Sequence, residues 1–257
     1  MAAADEAEPV ATAHLMDAHL ADAHLAAAAV FGDRLPLAQA YAAALADTGV
    51  THGLIGPRET ARLWERHLLN CAVVRELVPP GAVVVDVGAG AGLPGIPLAV
   101  ARPDLTVVLV EPLLRRTRWL ETVVAELGLT TVQVRRARAE ELARELSVDV
   151  VTSRAVAPLG KLARWCAPLL RTDGVFLAMK GDSAAQEMAR DGGDFAAAGL
   201  GAVELVRAGV GLVEPPTFVV QAIRTADHPT DRSEAARSVR QPRQPGQPRP
   251  GRRSRRR

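Results

Sequence analysis

The apolar positions follow two rhythms, and the change falls at Gly81. Before it the spacing is helical. Leu63, Trp64, Leu68, Cys71, Val74, Leu77 and Val78 form one stripe, opened by Pro57 and stopped by Pro79-Pro80-Gly81. Leu37–Thr48 predicts a shorter helix ended by Gly49, and residues 11–30 predict an Ala-rich one before it. After Gly81 short apolar runs alternate with helical stretches. Val83–Val87, Thr106–Val110, Thr131–Val134, Val148–Thr152 and Val175–Met179 predict strands, with helices near 95–101, 113–127, 139–145, 158–170 and 183–190. Alternating β and α units mean a parallel sheet covered on both faces. Two last runs, 202–213 and 217–223, have no helix between them and are expected to close the sheet as an antiparallel pair. The expected fold is α/β: a seven-stranded, mostly parallel sheet flanked by helices, with an N-terminal helical extension. The boundaries follow: 1–34 an Ala-rich extension, 35–80 a helical segment, 81–225 the α/β core, and 226–257 an Arg/Pro-rich tail expected to be disordered.

Composition narrows the class. The chain has 257 residues, 48% hydrophobic and only 3% aromatic, so Val, Leu and Ala must fill the core. Cys71 and Cys166 are far apart and form no C-x-x-C pair, which argues against a disulfide framework or a zinc site and fits a reducing cytosol. His14, His19 and His24 recur every five residues, a step of about 140° around a helix, so they share no face and no metal site is expected. No run is long and apolar enough to span a membrane, and the acidic start lacks a basic signal region. A soluble cytoplasmic protein is expected. The net charge of +2 hides an asymmetry: ten Arg and three acids give residues 226–257 a charge of +7, leaving the body at −5. Contact of the body with nucleic acid therefore requires a local basic patch.

The chemistry centres on the loop after the first expected strand. Asp86, Gly88, Gly90 and Gly92 stand two apart, followed by Leu93, Pro94 and Gly95. Glycines let the chain turn sharply and let a ligand approach the backbone, and open α/β sheets bind nucleotide cofactors at this place. Gly90-x-Gly92-x-x-Gly95 also matches the dinucleotide pattern, but Asp86 would repel a pyrophosphate. S-adenosylmethionine carries an ammonium and a sulfonium, which an acidic strand end suits. The D-x-G-x-G-x-G string resembles the first motif of Rossmann-like methyltransferases. Glu111, about twenty residues on, is a candidate for the ribose hydroxyls, or alternatively an acid at a helix start. Glu140, after the third strand, is open between adenine-side contact and the same helix-start role.

More specific strings surround the loop: Glu65-Arg66-His67-Leu68-Leu69-Asn70, Gly92-Leu93-Pro94-Gly95-Ile96-Pro97-Leu98, Ser153-Arg154-Ala155 and Lys180-Gly181. Together they resemble the glucose-inhibited division protein B family of 16S ribosomal RNA (guanine-N7) methyltransferases, from about Gly53 to Arg224. The resemblance implies S-adenosylmethionine as methyl donor and N7 of a guanine near the decoding region of 16S RNA as target, in naked RNA or the 30S particle. It also implies cofactor contacts at Gly88, Leu93, Ala139, Glu140 and Arg154. The family often has Asp where Glu111 and Asn70 stand. A monomer without metal is expected.

Guanine N7 has a free lone pair, so no general base is required. Arg154 and Lys180, basic residues ending buried strands, are expected to orient the RNA backbone or the target guanine. Arg115, Arg116, Arg118, Arg135, Arg136 and Arg138 are expected along the same rim, most as plain surface charges. Trp64, Trp119 and Trp165 fall on apolar helical faces and are assigned to packing, as is His67, against the sheet. Three other readings stay open on the residues alone: a small-molecule or protein methyltransferase, a non-catalytic ribosome-assembly protein, and a nicotinamide dehydrogenase.

Overall fold

The fold is a computed structural model that describes residue 23, residues 25–154 and residues 156–225. The spaced histidines, the acidic start, Ala155 and the basic tail lie outside the described residues. Seven strands form one sheet: β1 (Val83–Val87), β2 (Thr106–Val110), β3 (Val132–Arg135), β4 (Val148–Arg154), β5 (Leu170–Lys180), β6 (Leu200–Ala208) and β7 (Thr217–Arg224). Their order is β3-β2-β1-β4-β5-β7-β6. The first five pair in parallel, and β7 runs antiparallel between β5 and β6. The order reverses beside β1, which places the carboxyl ends of β1 and β4 at the switch point where such sheets open a crevice.

The continuous valine runs are explained by double burial. Side chains alternate across a strand, so Val84, Val107 and Val150 face one core while Val85, Val108 and Val151 face the other. The first core is capped by α1 (Leu35–Ala44), the helical course at 57–77, α2 (Gly95–Ala101) and α3 (Leu114–Glu126). The second is capped by α4 (Ala139–Leu142), α5 (Leu159–Cys166) and α6 (Ala184–Ala197). The helical segment at 35–80 therefore shares a core with the sheet rather than packing on itself. Cys71 and Cys166 are both free and fully buried, as small apolar groups should be.

Several boundaries move for local reasons. β5 begins at Leu170, five residues ahead of the expected start. Its polar stretch Arg171-Thr172-Asp173-Gly174 bulges out where Val148 pairs with Leu170 and Val150 with Val175, and Asp173 takes φ 61°. α6 runs through Gly192-Gly193 to Ala197, because Phe195 beyond the glycines is buried against Phe176, ring centres 6.1 Å apart. β6 stops at Ala208, since Gly209 and Gly211 turn the chain with φ 75° and 79°. The helix opening at Leu35 continues as a wider turn through Leu45–Gly49, so Gly49 does not end it. Of the tryptophans, Trp119 is buried and donates its indole N–H to Thr48 Oγ1 (2.9 Å). Trp64 sits edge-on to Phe31, and Trp165 is half-buried under the Lys161 ammonium.

Candidate functional site

β1 ends in the glycine loop, and the loop is fastened from three sides. From below, Asp86, fully buried, accepts the Gly95 N–H through Oδ2 (2.8 Å). A Cβ on Gly95 would run into that oxygen at 2.8 Å and into Leu109, so only glycine lets α2 start this close to β1. From the β2 side, Glu111 Oε2 accepts the Gly90 N–H (3.1 Å), while its Oε1 accepts the Leu113 N–H (3.0 Å) at the start of α3. From the N-terminal helices, the buried Tyr41 hydroxyl donates to Ala91 O (2.7 Å). Gly88 holds φ 73°, and a Cβ there would meet Val156 Cγ2 at 2.5 Å. The segment after β4 is thereby drawn onto the loop.

Above the loop lies an open hollow of about 680 Å³ floored by Gly88, Ala89, Gly90, Ala91 and Leu93 and walled by Glu111 and Arg116 on one side and His67, Arg154 and Val156 on the other. That volume suits a nucleoside-sized ligand. Burial pushes Asp86 up to about 7, and its Oδ1 has no hydrogen-bond partner among the described residues. An unpaired buried carboxylate is costly unless something cationic arrives to balance it. Together with Glu111 and a stretch of backbone carrying only glycine and alanine from Gly88 to Gly92, it fits a methyl donor that is cationic at one end and carries ribose hydroxyls at the other.

Opposite the loop a chain of contacts ends on Arg154. Its Nη2 lies 2.7 Å from His67 Nδ1, and His67 Nε2 lies 2.9 Å from Glu59 Oε2. Arg154 also reaches Arg66 O (3.3 Å) and Cys71 Sγ (3.2 Å). His67 is thus in the wall of the hollow and not merely packed on the sheet. Arg154 and Arg66 further border a second hollow of about 410 Å³, which Asn70, Lys180 and Phe218 help to line.

The expected site residues divide accordingly. Gly88, Gly90, Leu93, Glu111 and Arg154 meet at the hollow. Asp86 is beneath it, and Gly92 packs down onto Ile96. Ala139, buried, and Glu140, exposed, open α4 beyond β3 and lie outside the wall of this hollow. Lys180 is turned inward: its Nζ donates to Ala157 O and pairs with Glu187 Oε2, both at 2.8 Å. Of the rim arginines, Arg116 faces the hollow 3.7 Å from Glu111, Arg115 and Arg118 line a separate groove with Trp119, and Arg135 pairs with Glu145. Tyr41 is a site residue that the sequence reading does not name, and His67, assigned there to packing against the sheet, lines the hollow. The signal for Tyr41 was its being the chain's single tyrosine, set in an Ala-rich helix where a buried hydroxyl must find an acceptor.

The comparisons agree with this geometry. The family model described as GidB, rRNA small subunit methyltransferase G, matches residues 34–209. The chain belongs to this family. A ribosomal RNA small subunit methyltransferase G from Salinispora arenicola is 55% identical over 215 residues, covering 81% of this chain and 89% of its own. One from Rhodococcus jostii is 57% identical over 198 residues, covering 76% and 87%. Among solved structures, a Nostoc punctiforme protein described as an O-methyltransferase aligns with TM-score 0.50 at 15% identity, covering 63% of this chain and 58% of that one, a likeness of fold alone. As a member of the GidB family the chain is an S-adenosylmethionine-dependent methyltransferase. The match reaches back to residue 34 and so includes the helix that fastens the loop through Tyr41. Among the described residues there is no group of side chains suited to a metal and no helix long and apolar enough to cross a membrane.

Proposed function

We propose that this chain methylates N7 of a guanine in 16S ribosomal RNA, acting as a monomer. The observation that carries the reading is the family match across fold and loop, joined to the hollow above the glycine loop. Glu111 is engaged by two backbone N–H groups and Glu59 by His67. When bound, S-adenosylmethionine supplies a methyl group on a cationic sulfur, which the N7 lone pair takes as the carbon–sulfur bond breaks. N7 needs no deprotonation, so the chain's own residues have only to bind, orient and exclude water. Asp86 balances the positive charge from below the loop, Glu111 holds the ribose, and Ala139 with Glu140 border the adenine side. The second hollow, across Arg154, receives the target base.

Lys180 acts through the segment it holds. By fixing Ala157 it keeps Val156 against Gly88 at the mouth of the hollow. Lys180→Ala is expected to lower RNA methylation roughly three- to tenfold, about the worth of one ordinary hydrogen bond acting through the segment it holds, and unchanged methylation would remove Lys180 from the machinery. The reading as a whole is tested by methyl transfer from radiolabelled S-adenosylmethionine to 30S subunits from a strain lacking the gene, followed by digestion to nucleosides. Label in 7-methylguanosine is the expected result. Binding of the donor with no label in RNA would point to a small-molecule or protein substrate.

A further inference from the structure

The string Glu65-Arg66-His67-Leu68-Leu69-Asn70 lies on the helical course at 57–77, outside the glycine loop, yet one of its side chains touches the residue opposite that loop. A guanidinium has donors and no acceptor. The 2.7 Å approach of Arg154 Nη2 to His67 Nδ1 therefore requires Nδ1 to be the bare nitrogen. A neutral ring then carries its proton on Nε2, which is where Glu59 Oε2 waits at 2.9 Å. The contacts fit one protonation pattern: carboxylate, Nε2–H imidazole, guanidinium. They run from the rim inward, Glu59 partly exposed, His67 8% exposed, Arg154 at the junction of the two hollows.

We propose that His67 and Glu59 are positioning residues that orient the Arg154 guanidinium between the methyl-donor hollow and the hollow beside it. The inference rests on the functional reading above for what Arg154 orients. A free arginine side chain has many rotamers, and fixing it from behind removes that freedom before either ligand arrives. His67 Nδ1 sets the azimuth of the guanidinium, while Arg66 O and Cys71 Sγ hold its other N–H groups. Glu59 in turn fixes the tautomer, as a carboxylate behind an imidazole does elsewhere.

The arrangement has a sign with respect to pH. The charged groups around His67 are Glu59, Arg62 and Arg66 on its own helical course, Arg154 from β4, and Glu111 with Arg116 across the hollow. Burial and then Arg154 hold its pKa below the ordinary histidine value, against the pull of Glu59. Nδ1 thus stays an acceptor through neutral pH. Protonation at lower pH turns it into a donor facing a cation and breaks the contact.

The test compares His67→Ala, His67→Asn and His67→Gln in the full chain. Asn places its carbonyl near the position of Nδ1 and can still accept from Arg154. Gln reaches toward Glu59 instead. His67→Ala is expected to weaken S-adenosylmethionine binding, read by titration calorimetry, by about tenfold, the worth of one hydrogen bond to a charged group. His67→Asn is expected to recover to within about threefold of the parent, while His67→Gln stays near His67→Ala. A His67→Ala chain that binds the donor as the parent does, or a His67→Gln chain that recovers better than His67→Asn, would overturn the proposal. If His67→Ala does not fold, the Asn and Gln variants alone decide it. If the parent itself binds no S-adenosylmethionine, the functional reading fails separately. Imidazole ¹⁵N shifts then read the relay without any ligand: an Nε2–H tautomer whose bare Nδ1 resonance shifts in Arg154→Ala supports it, and an Nδ1–H tautomer overturns it.

Discussion

Glu111→Ala is expected to weaken S-adenosylmethionine binding by about 100-fold, and Glu111→Gln by about tenfold, as one or both charge-assisted acceptors are lost. The side chain is 2% exposed, yet it borders the hollow. Each of its oxygens already accepts one backbone N–H, from Gly90 and from Leu113. A carboxylate oxygen has two lone pairs, which leaves one on each oxygen for a pair of neighbouring ribose hydroxyls. Alanine removes both acceptors and also unfastens the glycine loop from β2 and the start of α3. Glutamine keeps one acceptor and gives up the charge. The loop lies at the edge of the hollow, so water can replace the lost partners there, and the fold should survive. A melting-temperature loss of roughly 3–8 °C corresponds to the 1–2 kcal/mol such a contact contributes. Binding within about threefold of the parent at unchanged melting temperature would sink the assignment of Glu111 to the ribose.

What the sequence made legible is what obeys a short-range rule. β1, β2 and α2 carry their own boundaries, valine runs and a Gly-Ile-Pro start, and fall where periodicity places them. The glycine loop declares itself because a backbone that must turn sharply and accept a ligand carries only glycine and alanine from Gly88 to Gly92. Where a long-range contact overrides a local signal, the reading slips. Gly192-Gly193 looks like a helix stop until Phe176 is known to be waiting for Phe195. Lys180 looks like a free cation above the sheet until Glu187, one α6 turn away from the strand end, is seen to neutralise it. His67 shows no more in sequence than a polar residue on an apolar helix. Its partner lies 87 residues further along, and only the fold brings the two within 2.7 Å. The family strings around Arg66 and Arg154 were legible as a resemblance, but the contact that joins them was not.

Asp86→Asn is expected to stabilise the protein without ligand and to impair it with ligand. Asp86 is fully buried, has one oxygen bonded to Gly95 N–H and the other bare, and is pushed up from 3.8 to about 7 chiefly by burial. The sign follows from linkage. A carboxyl raised on folding contributes its full stability below its unfolded pKa and loses it as pH rises through the folded value. The cost of Asp86 therefore grows between about pH 4 and pH 7 and is flat above. Across that range it amounts to a few kcal/mol, at roughly 1.4 kcal/mol for each pH unit between the unfolded and folded values. Asparagine keeps an acceptor for Gly95 and carries no charge. If it recovers about 2 kcal/mol, melting without ligand rises by roughly 4–8 °C at pH 8 and by less at pH 5. The same change removes the negative charge directly under the loop. Binding of the cationic donor should then fall by about tenfold or more, since even a partial loss of that charge balance is worth about 1.4 kcal/mol. In the parent, donor binding should tighten as pH rises toward 7 and release a proton on the way, because the arriving cation favours the ionised carboxylate. Calorimetry in buffers of different ionisation enthalpy reads that proton directly. Proton release that persists unchanged in Asp86→Asn would mean another group answers to the donor's charge. A variant that is destabilised at pH 8 would mean that Asp86 is needed by the fold itself, and that the bare oxygen is not the place where charge is kept for the ligand.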